Sequence, residues 1–409
     1  MTQREPSLPR VWGIYALSNF ASQIGACMQS TAQAWLVLEL TGSSSKLGLL
    51  IALQFLPSIL LAVPAGKAAD LWSRRNLLLG AQAAMALLAA ALATAVILKE
   101  ASYPVLAGFA LLLGVGNGLS QATRLSLAAS LAGAEGRARA AGLATLSFNL
   151  ARVLGPALAG FAIETCGPAF AIAANAASFV PLILFLATRR VNDAPLRQPR
   201  STPAALRFLW SNASTRVPLL VVAVAGVFAV NMQTLVPAYA RLGLGLDAGG
   251  FGLLMSAVGA GACLGGLLQW RRPAASNWRP LTAAAGLGLC LAALSAIHQL
   301  TPAALVLAGF GVCSATVFSS ASAAVQGFIP DPLRNAATSL QVMIVQGTNP
   351  LGSALTGWAL ERFGASAGSA MLGAATLAAV LLVAVSHRRD LSCAGSSEGA
   401  GCGSSATAQ

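Results

Sequence analysis

Gly66-Lys67-Ala68-Ala69-Asp70-Leu71-Trp72-Ser73-Arg74-Arg75 is a short charged stretch between two long apolar runs, in a chain that carries few charges elsewhere. An apolar run that ends in Gly, passes an Asp and a double Arg, and restarts at Asn76 reads as a membrane hairpin. Its tight turn belongs on the basic, cytoplasmic side of the bilayer. That assignment fixes the direction of every later crossing.

Working outward, 56% of the 409 residues are hydrophobic and 9% charged, with a mean hydropathy of +0.72. A soluble domain is roughly one-quarter charged, so this composition predicts an integral membrane protein. The first apolar run starts near Trp12 and holds Asn19, Gln23, Gln29 and Gln33, too long and too polar for a signal-peptide core, so a retained span is expected. The net charge of +13 does not point to nucleic acid, because the cations fall in alternate loops. Arg4, Arg10, Lys67, Arg74, Arg75, Arg124, Arg137, Arg139, the cluster from Arg189 to Arg216, Arg271, Arg272, Arg279, Arg334, Arg388 and Arg389 fall on one side. The other side has Lys46, Lys99, Arg241 and Arg362. The richer side, with both termini, is therefore read as cytoplasmic. An excess of Arg over Lys and abundant Ala and Gly suggest a GC-rich bacterial source, hence a multi-pass inner-membrane protein.

About twenty apolar residues cross the hydrocarbon as a helix. The runs are 12–40, 47–65, 76–98, 103–123, 140–163 and 167–188, then 217–240, 249–270, 279–298, 302–325, 336–360 and 365–387. The predicted fold is all-α, with twelve transmembrane helices in two six-helix bundles. Residues 1–188 form the first bundle, 189–216 a cytoplasmic linker, 217–388 the second bundle, and 389–409 a disordered tail. The linker's apolar piece from Ala204 to Trp210 is expected to lie on the inner leaflet.

The halves repeat. Leu154 to Gly167 aligns without gaps on Leu351 to Gly364, pairing Gly155 with Gly352, Gly160 with Gly357 and Glu164 with Glu361. The fifth and eleventh helices are therefore equivalent, as in a parallel duplication about the membrane normal.

Gly66-x-x-x-Asp70-x-x-x-Arg74-Arg75 after a second span resembles the loop signature of the major facilitator superfamily. Asn149-x-x-Arg152-x-x-Gly155-Pro156-x-x-x-Gly160 is similar to the Gly-Pro motif of its drug:proton antiporter branch, and closer still to the enterobactin-exporter and macrolide-efflux group. The chain departs from the usual loop at Leu71 and Ser73, and lacks the Arg often found early in helix four. The resemblance implies alternating access, a cytoplasmic latch at Gly66, Asp70, Arg74 and Arg75, and a kinked seal at Gly155 and Pro156. It also implies that helices one, four, seven and ten line a cavity.

The residues themselves say which groups face that cavity. An Arg inside a span costs about 2.5 to 3.5 kcal/mol on insertion scales, so Arg152 must face protein or water. Thr145, Asn149, Arg152 and Pro156 share a helical face. Asn19, Gln23, Ser30 and Gln33 form a second stripe, and Asn117, Gln121, Asn231, Thr234, Thr338 and Asn349 add further polar positions. Amides in lipid need partners or water, which favours a hydrated cavity, with helix–helix anchoring as the competing role. Gly155, Pro156, Gly160 and Gly352 read as close-packing positions.

Absences narrow the chemistry. There is no phosphate-binding loop for ATP, no Cys/His cluster for a metal, and His298 and His387 have no partners, so no enzyme, cofactor or metal is expected. No Asp or Glu lies deep in a span; Glu39 and Asp70 are the remaining candidates for proton coupling. The expected activity is export of a hydrophobic or amphipathic small molecule, of drug or siderophore type, by a proton-coupled monomer in the bilayer. A nutrient importer, a lysophospholipid flippase or a non-transporting sensor are the alternatives.

Overall fold

The computed structural model describes residues 9–61, 73–189, 202–270, 278–330 and 333–387, and every regular element among them is a helix. The first span is Arg10–Thr41 and the second Ser44–Leu60. Between them Gly42 takes the left-handed conformation (φ 61°) and returns its N–H to Leu38 O, while the Ser43 side chain accepts from Lys46 N. A two-residue turn thus stops one helix and starts the next. The third span, Arg74–Ile97, is capped by the Ser73 side chain, which accepts from Asn76 N.

The fourth and fifth spans form one stretch, Tyr103–Cys166, broken at Gly133 (φ 69°, ψ 176°). The fourth helix therefore runs to residue 132, beyond the expected 123, and carries Arg124 on the helix instead of in a loop. The sixth span divides at Phe179 into Pro168–Ser178 and Val180–Thr188, where Pro181 prevents a continuous helix. In the second half, Thr202–Ser211 precedes the seventh span, Ala213–Phe228 and Met232–Ala238, which ends in a π turn at Tyr239–Gly243. Ala248–Trp270, Trp278–Leu294 and Leu300–Phe328 follow. The eleventh and twelfth spans make up Arg334–Ser386, broken at Gly364.

The expected linker helix is found, but it docks on protein. Leu209 is buried with Leu219, Val325, Ile329 and Ala337, while Leu206 and Trp210 stay exposed. The seventh span begins inside the segment assigned to the linker. Residues 389–409 lie outside the described residues.

The chain alternates between a terminal face, which carries residues 9 and 387, and a far face, which carries Gly42, Gly167, Gly245 and Gly364. Within the first half the first span packs on the fifth and sixth, and the second on the fourth; in the second half the eighth packs on the tenth and the ninth on the tenth and twelfth. The halves meet along two seams, second span on eleventh and fifth on eighth. Large side chains such as Leu17, Leu87, Leu305 and Leu382 point outward and are 70–72% exposed, a belt that suits hydrocarbon and not water. Eight described helices have the length and hydropathy to cross a bilayer, one of them containing the Gly364 hairpin; Ser44–Leu60 and Trp278–Leu294 are shorter apolar ones.

Candidate functional site

The repeat seen in the sequence is also a repeat in geometry. Gly167 (φ 83°, ψ 167°) and its counterpart Gly364 (φ 81°, ψ 168°) make the same hairpin. Gly160 meets Gly252 of the eighth span, where an added Cβ would stand 3.0 Å from its Cα, and Gly357 meets Gly48 of the second span at 3.0 Å. Gly155 lies against Cys27 of the first span, and Gly352 against Asn231 and Gly226 of the seventh. Gly155, Gly160 and Gly352, together with Gly357, which the repeat pairs with Gly160, thus make close approaches in symmetric pairs, two within halves and two across the seams. Pro156 O lines the same seam, 2.7 Å from a Cβ placed on Gly252.

Arg152 sits where the fifth-to-eighth seam runs past the first span. Its backbone O would be 2.8 Å from a Cβ on Gly259, and Ser256 Oγ donates to Val153 O at 3.0 Å. The guanidinium lies beside the thiols of Cys27 and Cys263, its carbon 5.9 Å from the Phe148 ring centroid. Among the described residues it has neither a carboxylate nor a hydrogen-bond partner. A half-buried cation with two thiols and an aromatic face nearby is incompletely solvated, and an anion or a strong acceptor would complete its surroundings.

Along the first span, Tyr15, Asn19, Gln23 and Cys27 recur every fourth residue and so share one face. Cys27 adjoins Arg152. Tyr15 at the other end donates its hydroxyl to Arg124 O at 2.9 Å. Between them Asn19 Oδ1 and Gln23 Oε1 are buried without a partner among the described residues, as is Arg124 Nε. Asn117 and Gln121 remain exposed on the face of the fourth span that carries Arg124. Arg124 is therefore a second cation inside the bundle, beside the one expected, and the longer fourth helix is the reason.

Other expected cavity residues have different work. Gln33 is buried and accepts from Gln29 Nε2 at 3.5 Å, and Gln29 in turn accepts from Asn175 of the sixth span. Asn175 was not anticipated, though it is the lone amide of its apolar run. Asn231 is buried in the break of the seventh span, donating to Gly226 O (3.2 Å) and Val227 O (3.0 Å) and accepting from Ser353 Oγ (3.5 Å). Its amide replaces the bonds lost where the helix interrupts, so it joins the seventh span to the eleventh and does not line a cavity. Asn149 and Asn349 are half-exposed. In the loop motif, Arg74 is buried and Arg75 donates to Leu186 O (2.6 Å) and Ala187 O (2.9 Å), satisfying carbonyls at the end of the sixth span. Arg75 thereby braces one half internally. Gly66 and Asp70 lie outside the described residues. Glu39 is exposed near the far face.

An open groove of about 690 Å³ lies between the third and fourth spans, with Ser73 of the loop motif and Asn76 at one end and mostly apolar side chains along it, including Leu77, Met85, Leu112 and Leu119.

The sequence profile of a family described as transmembrane secretion effector matches residues 6–398. No curated protein matches the chain in sequence. Solved structures match it over most of its length. A bacterial homologue of the human lysosomal transporter Spinster, inward-facing and unoccupied, superposes with a TM-score of 0.70 at 15% identity, covering 95% of this chain and 96% of that one. A D-xylose-proton symporter gives 0.70 at 15% identity, covering 90% and 97%. The nucleoside transporter NupG gives 0.70 at 13%, covering 92% and 99%. At these identities the likeness is one of fold, that of major facilitator transporters.

Proposed function

The chain belongs to the transmembrane secretion effector family of major-facilitator-type membrane transporters, and from that premise we propose that it exports an amphipathic small molecule bearing an anionic or strongly hydrogen-bond-accepting group. The observation that carries this reading is Arg152, a cation at the seam between the halves with no protein acceptor among the described residues. Thiols, an aromatic ring and scattered amides around it suit a largely apolar compound with one polar end. The unpartnered oxygens of Asn19 and Gln23 supply acceptors along the same face. The terminal face is assigned to the cytoplasm by its arginines, and the bacterial inner membrane is the expected location. Proton entry would drive export, each charge moved through 100 mV supplying about 2.3 kcal/mol.

Uptake into everted vesicles tests this directly. A panel of anionic, neutral and cationic amphiphiles is offered with the pH gradient intact or collapsed. Accumulation of the anionic members, lost on collapse, is expected. Equal handling of cationic members, or indifference to the gradient, rejects that part of the reading.

A further inference from the structure

Glu164 and Glu361 stand three residues before the hairpin glycines Gly167 and Gly364, and each reaches across a seam to a helix start in the opposite half. Glu361 Oε2 accepts from Ser44 N at 2.8 Å and Ser45 N at 3.3 Å, with Ser44 Oγ 3.2 Å away. Ser44 Oγ also lies 3.0 Å from Gly357 O. Ser44 and Ser45 open the second span, so their N–H groups have no partner inside that helix and sit at its positive end. A carboxylate from the eleventh span thus completes the start of the second.

The matching contact is built differently. Glu164 Oε2 would stand 2.5 Å from a Cβ on Gly249, at the start of the eighth span. There Asp247 already caps the helix, its Oδ1 accepting from Gly250 N at 2.8 Å and lying 3.6 Å from the same Cβ position. Two carboxylates crowd one helix end, whereas at the other Glu361 accepts from Ser44 N and Ser45 N beside the Ser43 hydroxyl, which accepts from Lys46 N.

We propose that Glu361 is a positioning residue of the transport cycle, the unequal member of a duplicated pair. It holds the far face shut by bonding the eleventh span to the second, while Glu164, opposed by Asp247, contributes little to holding the other seam. The stacked rings of Trp35 and Phe251, 5.9 Å apart, with the Arg241 guanidinium 4.7 Å above Trp35, close the space between the seams. The latch acts whatever compound is carried, so it can be tested without one.

The test uses the full chain in lipid nanodiscs, with native cysteines replaced and spin labels at Glu100→Cys and Gln299→Cys, exposed positions on the far face of each half. Gly357→Leu, which wedges the seam apart, identifies the distance of the opened state. Glu361→Ala should raise the population at that distance by about three- to tenfold, as expected for losing bonds from helix-end amides to a charged acceptor. Glu361→Gln should fall between, and carries the test if the Ala variant does not fold. Glu164→Ala should change the population less than about twofold, because Asp247 already accepts from the same helix end. If the wedge lengthens the distance while both Glu361 variants leave it unchanged, or if Glu164→Ala opens the face as far as Glu361→Ala, the proposal is wrong.

Discussion

At Arg152 the question is what the guanidinium bonds to when a compound is present. A charge-assisted hydrogen bond is worth about 1.5 to 3 kcal/mol, so Arg152→Ala should raise the half-saturating concentration for an anionic substrate roughly tenfold or more, with Arg152→Lys in between. Concentration-dependent transport in vesicles measures this, and an unchanged value would make Arg152 a packing group only. Asn175 is of another kind. Its bond to Gln29 is buried among the first and sixth spans, and Asn175→Ala should cost about 1 to 3 kcal/mol by leaving that amide unpaired. Thermal melting in detergent reads the loss, and transport by the surviving folded fraction should be intact. Arg152 was legible in the sequence because a lone cation in an apolar run has few explanations. Asn231 misled because an amide gives no sign of whether it faces water or repairs a broken helix; only the interruption after Phe228, invisible in the apolar pattern, decides that. Arg124 was misplaced because the hairpin is made by Gly133 and not by the cation.

At the scale of elements, hairpins and seams rest on glycine for opposite reasons. Gly167 and Gly364 adopt a positive φ with extended ψ that side-chain-bearing residues avoid. Gly364→Ala should therefore cost about 1 to 3 kcal/mol, whereas Gly108→Ala, in a helix with open space around its Cα, should be neutral or slightly stabilising. Paired melting curves compare them, and equal losses would deny the hairpin its special backbone. Gly160, Gly252, Gly48 and Gly357 instead have ordinary helical backbones and lack only room. The repeat of Leu154 to Gly167 on Leu351 to Gly364 made half of each seam readable in advance. The other half, Gly48 and Gly252, belongs to unremarkable runs of small residues whose partners exist only in three dimensions. The Arg75 bonds to Leu186 O and Ala187 O escaped notice for the same reason, since backbone carbonyls leave no trace in a sequence.

For the whole molecule, the uneven distribution of cations predicts which face meets which compartment. An impermeant maleimide applied to intact cells should label Glu100→Cys and Gln299→Cys but spare Arg207→Cys; the reverse pattern would invert the orientation, and with it the direction of transport. The twelve-crossing plan was readable because apolar length and charge alternation are whole-chain signals that survive local errors of several residues. The seams carry one more implication. Where Gly160 faces Gly252 and Gly48 faces Gly357, hydrogens stand in for the knobs that elsewhere lock helices into a fixed registry. Two such surfaces can part and rejoin without any rotamer having to find its slot again.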